Sequence, residues 1–80
     1  MNINKFDILA LSNNKKIVVL DKINFMNNDF LFANEVLYDE SATTNNYKIM
    51  LVDYNNKVLK KVTNAEVLSL LLPKFIERIN

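Results

Sequence analysis

Eighty residues with ten Lys and Arg against nine Asp and Glu carry a net charge of +1, so no strong field draws this chain to nucleic acid or to an anionic membrane. Histidine, cysteine and glycine are all absent. That excludes disulfides, imidazole and thiolate metal sites, a thiol nucleophile and any Gly-rich phosphate loop.

A single domain over residues 1–80 is expected. A domain this small buries only about 60% of the surface its unfolded chain exposes, so tight packing, a partner or a homodimer must supply stability. Small secreted domains usually lean on disulfides; a cytoplasmic location is the expectation. No apolar run approaches the roughly 20 residues of a membrane span, and the first residues lack the apolar core of a signal peptide. Asparagine is abundant, at 14 residues. With the common lysine and isoleucine it points to AT-rich coding, as in a low-GC bacterium, its phage or another mobile element.

Residues 1–5 are polar and read as a loose N-terminus. Residues 6–11 read as a first strand, and residues 12–15 as a turn. Asparagine tolerates positive φ better than other non-glycine residues, so Asn-Asn pairs are the natural hairpin turns in a chain without glycine. Residues 16–25 form the longest predicted strand, with Ile17, Val19, Ile23 and Phe25 on one face and Asp21 among them. Residues 26–29 are a second turn. Residues 30–37 are a third strand, with Phe30, Phe32 and Val36 opposite Leu31, Ala33 and Leu37.

Residues 38–46 are polar and read as the longest loop. A fourth strand covers residues 47–54, Asn55-Asn56 is the third turn, and residues 57–62 form a short strand with the lysines of a protected sheet edge. The last element is a helix over residues 63–79. Thr63 and Glu66 have the spacing of a capping box, and Val67, Leu68, Leu71, Leu72, Phe75, Ile76 and Ile79 form an apolar stripe. Pro73 predicts a kink or a one-residue break. The expected fold is α+β: an antiparallel meander of about five strands over residues 6–62 with the C-terminal helix on one face. The opposite face is either closed by sheet curling or left partly bare as a dimer or partner surface.

No residues are predicted to be catalytic, metal-binding or cofactor-binding, and the chain reads as no enzyme. Its serines have no lysine at a telling spacing. Asp39 and Glu40 are adjacent, so in an extended segment their side chains diverge. Asp21 interrupts an apolar strand face, as a perturbed acid or as the partner of a neighbouring lysine. The candidate partner-binding residues are Tyr38, Asp39 and Glu40 in the long loop, Tyr47 and Tyr54 as aromatic platforms, and Lys57, Lys60 and Lys61 on the last hairpin.

Residues 17–23 (IVVLDKI), 27–36 (NNDFLFANEV), 47–53 (YKIMLVD) and 70–75 (LLLPKF) together resemble a small domain-of-unknown-function family of low-GC Gram-positive bacteria and their mobile elements. The shared pattern is a long strand ending V-L-D, an aromatic-rich strand, an acidic insert, a further strand and a terminal helix. The chain departs from that group, which is usually strongly acidic and uses Asp-Gly turns. The resemblance implies the fold and no activity.

The leading functional expectation is a small non-enzymatic protein-binding module that modulates a larger protein, in its narrowest form a phage or mobile-element inhibitor of a host defence nuclease, anti-CRISPR-like. The alternatives are a single-stranded nucleic-acid binder using the lysine-rich hairpin with Tyr54, and a structural homodimer. No cofactor and no membrane partner is expected.

Overall fold

The computed structural model describes residues 2–11, 14–37 and 42–79, with only the backbone of Asn45 and Ile79. Five strands follow one another in space as in sequence: β1 (Ile8–Ala10), β2 (Lys16–Phe25), β3 (Asn28–Val36), β4 (Thr43–Asp53) and β5 (Val58–Lys61). All four pairings are antiparallel, and α1 (Ala65–Ile79) packs on one face. This is the expected α+β meander. The fourth strand begins at Thr43, so the second half of the predicted loop is β structure paired to β3 through Thr43 and Val36.

Register defines two faces. Leu31, Ala33, Met50, Val52, Ile17 and Val19 form one core cluster; Phe30 and Ile49 join Leu71 and Phe75 of α1 in the other, with Ile23, Phe25, Phe32 and Leu51 packed around them. The predicted face grouping of β2 is therefore corrected. Val19 pairs with Ala33 but Asp21 pairs with Phe32, which leaves one extra β2 residue at a bulge. Odd-numbered residues point away from the helix before the bulge and toward it afterwards. An unbroken period of two would have kept them together.

The face away from α1 is sealed, not bare. Ile17, Leu31 and Ala33 are fully buried, and Ile3 of the N-terminal segment is packed among them. Residues 1–5 are thus not a loose tail in their described part. Asn4 and Asp7 close a tight turn through Asn4 N–H to Asp7 Oδ2 (2.8 Å) and Asp7 N–H to the Asn4 carbonyl (3.1 Å). The Ile3 carbonyl accepts from Lys22 Nζ at 3.0 Å. The turn holds Phe6 at φ 72°, a conformation that costs a side-chain-bearing residue about 1–2 kcal/mol. Burying Ile3 contributes about 1.5–3 kcal/mol, enough to offset it.

The hairpin turns use left-handed residues as the glycine-free composition demands, though not always at asparagine. Asn14 has φ 64°. Met26 (52°) and Asn27 (63°) form a two-residue connection with positive φ at both positions, the arrangement that matches strand twist. In the last hairpin the positive φ falls on Lys57 (56°), not on Asn55 or Asn56. Asn56 is held instead by the Asp53 carboxylate, which accepts from its backbone N–H at 3.2 Å and its side-chain Nδ2 at 2.9 Å.

The helix is capped one residue later than Thr63. Asn64 Oδ1 accepts from the N–H groups of Glu66 (2.9 Å) and Val67 (3.2 Å), and its carbonyl accepts the first helical bond, from Leu68. Asparagine caps at least as well as threonine, and starting here places Leu71 and Phe75 on the sheet. The helix runs through Pro73 without a break. Pro73 and Ser69 are both exposed, so the carbonyl that loses its donor can turn to water.

Candidate partner interface

The sheet's helix face is a set of cross-strand rows. The row Ile23, Phe30, Leu51, Lys60 and the row Asp21, Phe32, Ile49 lie beneath α1. Phe75 stacks on Phe32 at 5.4 Å between ring centroids. The next row, Ile8, Val18, Asn34, Tyr47, is beyond the helix. Tyr47 is 55% exposed and lies parallel to Phe32 at 5.6 Å, with 9° between the rings. Ile8 is also exposed.

Helical geometry extends this row into a patch. Residues 68, 72 and 76 fall on one flank of α1, four apart. Leu68 is half-buried, whereas Leu72 is 40% and Ile76 54% exposed. A groove of about 240 Å³ separates this flank from β4, floored by Phe32, Ile49 and Leu68 and walled by Tyr47 and Leu72. Among the described residues, its only charged lining residues are Lys48 and Lys61. Lys48 Nζ sits 3.8 Å from Glu35 Oε2, and Glu35 is shared with Lys15 at 3.9 Å and with Asn46 Nδ2 at 3.1 Å. Lys61 has no ion pair among the described residues.

Asn34, between Val18 and Tyr47 in that row, is 5% exposed, and its Oδ1 is buried with no hydrogen-bond partner among the described residues. A buried acceptor left unpaired costs about 1–3 kcal/mol. Departures from local design rules of this kind concentrate at functional sites.

The other flank of α1 is pinned. Lys74 lies over the Phe25 ring, 5.1 Å from its centroid. Arg78 reaches Asp21 with Nε to Oδ2 at 2.7 Å and Nη2 to Oδ1 at 3.1 Å. Asp21 is 2% exposed because the bulge turns it under the helix end. Its partner is thus an arginine 57 residues away, not a neighbouring lysine. Burial pushes its pKa up, but the Arg78 hydrogen bond, the Lys22 backbone N–H (2.9 Å) and the Arg78 charge together hold it below 3.8. Asp21 is a structural anchor for the helix terminus.

Of the predicted partner residues, the structure places Tyr47 and Lys61 together at the groove. Tyr38, Asp39 and Glu40 lie outside the described residues. Tyr54 stands apart, its hydroxyl donating to Asp29 Oδ2 at 2.5 Å; that bond, then one from Asn24, lowers the Asp29 pKa, and the same bond raises that of Tyr54. Lys60 pairs with Asp53 at 3.1 Å. Asp53 is held down to about 2, first by the Asn56 side chain, then by the Asn56 backbone N–H and Lys60. Lys57 is exposed at the hairpin tip. Ile8, Asn34, Leu72 and Ile76 were missed by sequence reasoning. Leu72 and Ile76 fit the apolar stripe of a buried helix face, and only the helix's position across the strands shows that this part of the stripe overhangs.

Among the described residues, no three acidic side chains cluster closely enough to hold a metal ion, and no helix is long and apolar enough to cross a membrane. No protein-family model matches the chain, and no curated protein or solved structure matches it.

Proposed function

We propose that this chain is a non-enzymatic protein-binding module that modulates a larger protein, and that it binds through the open half of its helix face. The observation that carries the reading is the exposure of Tyr47 and Leu72 on the groove beside Phe32, and of Ile76 one turn further along the same helix flank. Exposed apolar surface joined to the core and rimmed by polar groups is what partner sites look like. The narrower form, an inhibitor of a host defence nuclease carried by a phage or mobile element, rests on small size and AT-rich coding.

The nucleic-acid alternative draws less support, because Tyr54 and Lys60 on the last hairpin are already engaged by Asp29 and Asp53. A homodimer through the face opposite the helix draws less still, since that face is buried within the monomer. Placing a photo-crosslinking phenylalanine analogue at position 47 tests the binding reading in the cells that make the protein. A discrete adduct at position 47, absent when the same analogue replaces exposed Val58, is the expected result. Equal labelling at both positions, or none at position 47, sinks the proposal.

A further inference from the structure

We infer that the groove between α1 and β4 receives an acidic, apolar peptide segment of the partner, with an apolar side chain seated over Phe32 and Leu68 and carboxylates on Lys61 and Lys48. This rests on the protein-binding reading and adds the partner's chemistry to it. The size of the groove is the first reason. At about 240 Å³ it falls below the roughly 300–1,000 Å³ of small-molecule pockets. It suits one or two anchoring side chains of a larger molecule, the usual centre of an interface.

Charge is the second reason. Among the described residues, the groove's lining holds two cations and no anion. Lys60 and Arg78 have close carboxylate partners, Asp53 at 3.1 Å and Asp21 at 2.7 Å. Lys61 has no such partner among the described residues, and Lys48 has only a shared carboxylate at 3.8 Å. An apolar occupant would strip water from both ammonium groups, and a carboxylate on that occupant offsets the loss. A nucleic acid would satisfy the lysines but not the floor: one face of the Tyr47 ring is already stacked on Phe32, and the remaining lining is largely aliphatic.

The test is selection of random 16-residue peptides on the full-length chain, followed by fluorescence anisotropy of the recovered peptides. Wild type, Leu72→Glu and the double variant Lys48→Glu/Lys61→Glu are compared, each first checked for its fold by circular dichroism. Recovered peptides should pair two or more acidic residues with Leu, Phe or Trp. Binding should fall about 25-fold for the double lysine reversal, tenfold or more for Leu72→Glu, and weaken as salt rises. Neutral or basic peptides that still lose binding with Leu72→Glu overturn the acidic partner and leave the protein-binding reading standing. Three results overturn both: no peptide whose binding depends on Leu72, binding of a 15-mer of oligothymidine abolished by the lysine reversals, or self-association in sedimentation abolished by Leu72→Glu.

Discussion

The two faces of this sheet are about equally apolar in sequence and differ in how they are closed. The face away from the helix is sealed by the curl of the sheet and by Ile3, with Ile17, Leu31 and Ala33 fully buried. The helix face has the larger side chains, three phenylalanines among them, yet it is the one left partly open. A 15-residue helix lies across the rows nearest the β2–β3 turn and leaves Ile8 and Tyr47, the ends of the next row, exposed. A helix is thus no guarantee that the surface beneath it is closed. Sealing depends on how far each cover reaches across the rows.

Substitutions can sharpen that contrast. The largest effect is expected from Phe75→Ala, which empties the centre of the helix-side core and should lower stability by about 3–5 kcal/mol. A domain of 80 residues has only roughly 4–12 kcal/mol in total, so chemical denaturation should find this variant partly or wholly unfolded. Leu31→Ala on the sealed face should cost about 2–5 kcal/mol. A loss at Leu31 below 1 kcal/mol would show that face to be less closed than described.

Arg78→Ala comes next. It leaves the buried Asp21 carboxylate without its partner, and the damage should exceed that of Asp21→Asn/Arg78→Ala, in which no charge is stranded. Acid titration gives the same pair a second readout. Asp21, Asp29 and Asp53 all have folded pKa values below 3.8, so the unfolded chain takes up protons first as pH falls. The stability they contribute is full above about pH 4 and is lost toward pH 2, where Asp53 itself titrates. The acid slope between those limits should flatten in Asp21→Asn/Arg78→Ala. An unchanged slope would mean that the anchor contributes nothing.

Asn34→Leu should raise stability, by about 1 kcal/mol, because it removes a buried acceptor that is unpaired among the described residues. A drop in melting temperature would show Asn34 to be structurally satisfied. The smallest effects belong to the patch itself: Tyr47→Ser, which loses the stack on Phe32, should cost about 1 kcal/mol and Ile76→Ser no more than about 0.5 kcal/mol, while partner binding is lost.

The partial legibility of the site follows from these particulars. Tyr47 and Lys61 are legible in the sequence as an aromatic platform and as part of the lysine-rich last hairpin. Asn34 drew no notice, since an asparagine in a strand says nothing of whether its amide is satisfied. Leu72 and Ile76 read as core because periodicity reports which flank of a helix a residue occupies, not where the sheet beneath it ends. Lys60 and Tyr54 read as free because their partners, Asp53 and Asp29, are set by cross-strand geometry.

Local chemistry by itself determined the element order: five strands, their turns and a capped C-terminal helix. Alternation, left-handed-tolerant asparagines and a helical apolar stripe all act within a few residues, so they can be read along the chain. Tertiary structure alone decided the rest. The β2 bulge reverses the faces of one strand because its extra residue exists only relative to β3. Asp21 finds Arg78 only when the helix end reaches the second strand. Which face stays open depends on a buried Ile3 on one side and the reach of a single helix on the other, both long-range matters that no local pattern encodes.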